Sequence, residues 1–292
     1  MMPVLVLLLA AVVVGTAVAF ASRRVPVLDP ASPRAVRPAA RLVERGMERR
    51  SRWRVFARAR FDPRVATGQL LTVALAVVVL LGVLVFQVRT DRGVVSLDRT
   101  IERWADGELT ASSNDVLSAV TDFGGTLVLV VIGLAVALFE WVRTRSARVF
   151  VFLALVIGGQ ALASALIKEL VGRGRPALGQ LAGLDTSFPS GHSAGAAATF
   201  AACALLLGRR RSPRTQAVLT GLGVGIAIAV GASRVLLGVH WFSDVIGGLV
   251  LGWAWFAIVS LAFGGRLLRF GAPVEAAERH QELAHSAPGP SG

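Results

Sequence analysis

Ser233–Asp244 places an arginine, a histidine and a carboxylate between two apolar runs. Ionisable groups in such surroundings are costly and usually functional. His240 and Asp244 are four residues apart, a spacing that puts both on one face of a helix. A carboxylate in that position accepts the proton of one ring nitrogen and fixes the tautomer. The other nitrogen is left free to attack or to bind a proton. Arg234 adds a planar, five-donor cation suited to phosphate oxygens. Taken alone, the stretch reads equally well as a capped helix end carrying a structural ion pair.

Two further stretches tip that balance. Lys168 opens the run that ends in Arg175 and Pro176, and Pro189-Ser190-Gly191-His192 opens a later apolar run. A phosphoryl group in transfer spreads negative charge over three equatorial oxygens and needs fixed positive donors around it. Lys168, Arg175 and Arg234 are such donors. Ser190 stands where it can cap the following helix, so its hydroxyl and the Gly191 amide lie at a helix N-terminus, a natural anion site. Gly191, without a side chain, lets phosphate approach the backbone. Arg173 is an extra cation, read either as a substrate contact or as a solvated loop arginine. Asp122 and Gly124 suit capping and turn roles. Two histidines and a carboxylate can also bind a transition metal, but three nearby cations would repel one. No metal and no cofactor are expected.

The elements that must position these residues are membrane helices. The chain has 292 residues, 54% of them hydrophobic, and a mean hydropathy of +0.65, which indicates a multi-span membrane protein. Residues 1–22 carry no charged side chain and are long enough to span a bilayer. Ala19-Phe20-Ala21 mimics a signal-peptide cleavage site, but the basic leader region is missing, so an uncleaved anchor is expected. Residues 23–66 form an arginine-rich linker, either a helix on an anionic membrane face or a disordered segment. Core spans are expected at 67–88, 125–142, 149–168, 191–207, 216–232 and 245–264. Gly221, Gly223, Gly225, Gly248 and Gly252 in the last two suit close helix packing. Residues 265–292 read as a disordered tail. Cys203, the single cysteine, lies in an apolar run and reads as a packing residue.

The formal charge of +13 reports orientation rather than a nucleic-acid partner. Arg143, Arg145 and Arg148 fall in one connection, and Arg209, Arg210, Arg211 and Arg214 in another of the same parity. The positive-inside rule puts these, the linker and the C-terminus in the cytoplasm. Residues 89–124 and all three chemical stretches then lie on the extracytoplasmic side.

The three stretches together resemble the signature of the type 2 phosphatidic acid phosphatase superfamily, K-x6-RP, PSGH and SR-x5-H-x3-D. Every specified position is filled: Lys168, Arg175, Pro176; Pro189, Ser190, Gly191, His192; Ser233, Arg234, His240, Asp244. The resemblance covers about residues 67–264. It implies an all-α polytopic membrane bundle of six core helices, here preceded by one N-terminal transmembrane helix. It further implies His240 as a nucleophile that becomes phosphohistidine, Asp244 as its orienting group, and His192 as general acid and then base. Lys168, Arg175, Ser190, Gly191 and Arg234 would bind phosphate. The expected activity is metal-independent hydrolysis of a lipid phosphate or diphosphate at the outer face of a bacterial inner membrane. Undecaprenyl diphosphate is the favoured substrate, with phosphatidic acid and phosphatidylglycerol phosphate as alternatives. A vanadate haloperoxidase fits poorly with six spans. An anion or phospholipid transporter is a rival of another class, although transporter sites usually lie near the midplane between repeats.

Overall fold

A segment that crosses hydrocarbon must satisfy its own backbone hydrogen bonds, and a helix does this within one segment. The computed structural model describes Gly15 and residues 63–108, 110–177, 186–209 and 211–267, and its regular elements there are all α-helices. They are α1 (Pro63–Thr90), α2 (Val94–Glu108), α3 (Ala111–Asp122), α4 (Thr126–Thr144), α5 (Arg148–Val171), α6 (Gly191–Gly208), α7 (Pro213–Leu236) and α8 (Phe242–Leu267). Helices α4 to α8 are long and apolar enough to cross a membrane, and α1 contains the shorter apolar stretch Leu75–Thr90. The six expected core spans therefore each fall on a helix. The chain divides into one compact unit of Met1–Pro26 with Ala74–Val259 and a second of Val27–Val73 with Ser260–Gly292. In the second, the described residues 63–73 and 260–267 are helical. The expected anchor (Gly15 excepted), most of the linker and nearly all of the tail lie outside the described residues.

Helix α6 packs against α4, α5 and α7, and its small side chains explain how. Ala194, Ala196, Ala197 and Ala198 are fully buried. Ala196 and Ala197 join Leu129, Phe200, Ala227, Val230, Val235, Val245 and Leu249 in one apolar core. The glycines of α8 bring it against the α6 backbone: a Cβ on Gly248 would stand 2.5 Å from the Ser190 carbonyl oxygen, and one on Gly252 would collide with that of Ala194. Close approach of this kind holds membrane helices together. Gly15 makes a similar contact, where a Cβ would lie 2.8 Å from the carbonyl oxygen of Gly221 on α7. Gly252→Ala is expected to destabilise the bundle by about 1–3 kcal/mol, the usual cost of overpacking. Thermal unfolding in detergent checks this, and an unchanged midpoint would contradict it.

Helices α2 and α3 were not foreseen within the charged connection 89–124. Gln87 closes the start of α2 by accepting from the Val94 amide at 2.9 Å. Thr110 caps α3 in a reciprocal arrangement with Ser113. Ala105 and Leu117 from these helices pack with Leu236 of α7. Val95, Asp98 and Ala105 form the buried stripe of α2, at helical spacing but with an aspartate in its middle.

The start of α4 lies beside His192 while its end pairs with the end of α6, so Arg143, Arg145, Arg148 and Arg209 gather at the opposite helix ends from Lys168, Ser190 and Arg234. At the arginine end, Arg209 pairs with the buried Glu140 at 2.6 Å.

Candidate active site

Helix α5 stops at Gly172, whose left-handed φ of 60° lets its amide return to the Lys168 carbonyl. The chain then turns across the helix ends as Arg173–Pro176. Backbone and side-chain bonds tie this turn to the other two motif segments. Ser187 donates its amide to Arg173 O at 2.8 Å, and Ser190 donates its own to Asp244 O at 2.9 Å. Arg175 Nη1 donates to Val239 O at 2.8 Å, and Trp241 Nε1 to Gly174 O at 2.9 Å.

Ser190 is the N-cap of α6, as its position suggested; its Oγ accepts from the Ser193 amide and from Ser193 Oγ at 2.9 Å. A Cβ on Gly191 would meet no protein atom within 4 Å, so protein packing does not demand glycine there. His192 follows in the first turn, against Gly124, where a Cβ would stand 3.1 Å from the His192 Cβ.

Arg234 rides on the last turn of α7. Gly238 then adopts φ of 62°, a conformation that favours glycine, and the chain reverses into α8. His240 consequently precedes α8, whose first turn carries Asp244. The pair does not share a helical face, as the spacing suggested; the turn at Gly238 folds His240 back over the helix start. His240 Nδ1 lies 3.4 Å from Asp244 Oδ2, and the same oxygen accepts from the Trp241 amide at 3.0 Å.

The opposite ring nitrogen, His240 Nε2, lies 3.1 Å from Arg175 Nη1. A guanidinium can only donate, so Nε2 must be the acceptor, unprotonated, and the ring proton must sit on Nδ1 facing Asp244. The imidazole is neutral, with its lone pair turned toward a phosphate-binding type of cation. Burial is the main cause that pulls the His240 pKa down to about 4; Asp244 opposes the shift, and Arg175 and Arg234 add to it. Burial likewise lowers the Arg175 pKa, against the pull of Asp244.

The folded pKa of His240 lies below its unfolded value near 6.5, so its contribution to stability is full above pH ~6.5 and is lost as pH falls toward 4. Between those values the wild type is expected to lose more unfolding temperature than a His240→Gln variant. Parallel pH curves for the two would contradict a buried neutral imidazole.

Lys168, Arg175, Arg234, His192 and His240 share one electrostatic neighbourhood. The three motif segments thus meet at one place. Arg234 Nη1 donates to Thr121 Oγ1 of α3 at 3.3 Å, while its buried Nε has no hydrogen-bond partner among the described residues. Arg173 is neither a solvated loop arginine nor aimed at the cationic cluster. It pairs with Asp244 Oδ1 at 2.6 Å and Asp98 Oδ2 at 2.7 Å, with its guanidinium 5.2 Å from the Trp241 ring centre. Asp98, Thr121 and Ser243 escaped the sequence reading. For Asp98 the signal was an acid on the apolar stripe of α2.

The model of the PAP2 superfamily matches residues 148–267, a range that holds all three motifs. Phosphatidylglycerophosphatase B of Bacillus subtilis is 33% identical over 163 residues, covering 54% of this chain and 78% of the relative. Decaprenylphosphoryl-5-phosphoribose phosphatase of Mycobacterium tuberculosis is 38% identical over 153 residues, 49% of this chain and 73% of the relative. The fold is similar to the crystal structure of a transmembrane PAP2 type phosphatidylglycerolphosphate phosphatase from Bacillus subtilis. That match has a TM-score of 0.60 and 28% identity, over 66% of this chain and 96% of that one. With three complete motifs brought to one site on an all-helical membrane bundle, the chain belongs to the PAP2 superfamily and is a multi-pass membrane phosphatase.

Proposed function

We propose that the chain hydrolyses a lipid phosphate at the extracytoplasmic face through a phosphohistidine on His240. The observation that carries this reading is the placement of a neutral His240 with Nε2 turned to Arg175 and Nδ1 to Asp244. Substrate phosphate would take over the Arg175 donor and release the Nε2 lone pair. That lone pair forms a bond to phosphorus as the bond from phosphorus to the leaving oxygen breaks. His192 gives its proton to the leaving oxygen, then removes one from the water that cleaves the N–P bond. Lys168, Arg175, Arg234 and the Gly191 amide hold the equatorial oxygens.

The two oxygens of Asp244 accept from Arg173, Trp241 and His240, an orienting role rather than a metal ligand's. Chelation is therefore expected to leave activity intact, and vanadate, which mimics a five-coordinate phosphoryl group, to inhibit. Loss of activity in chelator, restored by one divalent metal, would contradict the metal-independent reading.

The arginines at the far helix ends support a cytoplasmic face there and an external site. Such a site reaches a phosphate in the outer head-group layer while its lipid chain stays in hydrocarbon. Phosphatidylglycerol phosphate is favoured by the Bacillus relative's name and its extensive coverage. A polyprenyl diphosphate such as undecaprenyl diphosphate is the second reading, and the decaprenyl-linked substrate in the mycobacterial relative's name supports that lipid class. Hydrolysis rates in mixed micelles of phosphatidylglycerol phosphate, undecaprenyl diphosphate, phosphatidic acid and a water-soluble phosphomonoester test this. All three lipids are expected to exceed the soluble ester; a soluble ester that equals them would overturn the lipid assignment.

A further inference from the structure

Asp98 on α2 is 1% exposed and both of its oxygens are engaged. Oδ1 accepts from the Ser243 amide at 2.8 Å. Oδ2 accepts from Ser243 Oγ at 2.6 Å and from Arg173 Nη2 at 2.7 Å. Arg173 Nη1 in turn donates to Asp244 Oδ1 at 2.6 Å and to Ser243 Oγ at 2.7 Å. A buried chain of alternating charge, Asp98–Arg173–Asp244, thus ends on the ring of His240.

We propose that Asp98 is a positioning residue for the nucleophile, acting through Arg173 and Asp244. The proposal rests on the reading of His240 as that nucleophile. Two physical effects support it. The first is charge: a guanidinium attending to Asp244 alone would neutralise it, and Asp244 could then do little for the positive charge that grows on the ring as Nε2 attacks. Asp98 shares the guanidinium, so the three groups together keep one negative charge beside His240. The second is geometry. The Ser243 amide is one of the N–H groups that a helix start leaves without an internal partner. By accepting from it, Asp98 caps α8 from a different helix and fixes the rotation that aims Asp244 at His240. Both effects act on the covalent step, since the hydrogen bonds of Asp98 run to Ser243 and Arg173.

Asp98→Asn in the full chain, purified in detergent, removes the charge while keeping the shape. Its kcat is expected to fall about 10–100-fold, the size of effect known for outer groups that orient metal-ligating histidines, with KM little changed. Inhibition by vanadate, which engages the nucleophile, should weaken in parallel, while inhibition by inorganic phosphate should hold. Equal weakening of both inhibitors, or a wild-type kcat with only a lower unfolding temperature, would mark a purely structural ion cluster and overturn the proposal. The double variant Asp98→Asn with Arg173→Gln restores the charge balance and guards against misfolding of the single one. It is expected to be no slower than Arg173→Gln alone, because Asp98 acts through that arginine; multiplied losses would contradict this. His240→Ala assayed alongside keeps the two claims apart. Wild-type turnover there removes the nucleophile assignment itself, whereas lost turnover there with a normal Asp98→Asn removes only the role of Asp98.

Discussion

His240→Ala is expected to reduce phosphate release to background, a fall on the order of 10⁶-fold if this histidine is a catalytic nucleophile. The side chain is 2% exposed, and its loss removes the group that would bond to phosphorus. Water cannot replace it directly, because the remaining base, His192, stands on the side of the leaving oxygen in the proposed mechanism. His192→Ala should behave differently. Turnover is lost, but a substrate whose leaving group needs no proton should still phosphorylate His240 slowly. Steady-state and single-turnover assays on the two variants check this, and appreciable turnover by His240→Ala would contradict it.

Arg175→Ala has the second largest expected effect, a loss of about 10²–10³-fold in kcat, the range for removal of one preorganised donor to a developing oxyanion. Arg175 is 6% exposed, and its Nη1 bridges Val239 O and His240 Nε2. Its removal therefore takes away the proposed phosphate donor and frees the ring at once. Arg175→Lys should recover only part of the loss, since an ammonium lacks the planar fork. Equal rates for wild type and Arg175→Ala would remove this arginine from the transition state.

The long helices and the meeting of the three motifs were legible in the sequence. Apolar runs near membrane length leave one solution, and the alternation of arginine-rich ends put Lys168, Ser190 and Arg234 on one side. The local geometry was less legible. Spacing of four suggested a helical face for His240 and Asp244, but Gly238 turns the chain between the end of α7 and Phe242, and a lone glycine does not announce its φ. The sequence leaves Arg173 as either a substrate contact or a solvated loop arginine because its partner Asp98 is 75 residues away. Asp98 itself was hidden among the charges of 89–124. Its place on the apolar stripe of α2 becomes visible only when that connection is taken as a helix, and the sequence carries seven acids there without marking which one turns inward. Packing glycines were read correctly as a class, but their partners, such as Ser190 for Gly248, follow from the fold.

The proposed mechanism passes through a covalent bond between phosphorus and His240, and trapping that bond decides whether it forms. The purified protein is mixed with a lipid phosphate labelled on the phosphorus and quenched within milliseconds under alkaline conditions, where phosphohistidine survives. Peptides are then mapped by mass spectrometry. Label is expected on the peptide containing His240 in wild type and none in His240→Ala, while His192→Ala acquires label slowly and only from a substrate whose leaving group needs no proton. Label on His192 instead, or turnover by an enzyme that never acquires label, would contradict it.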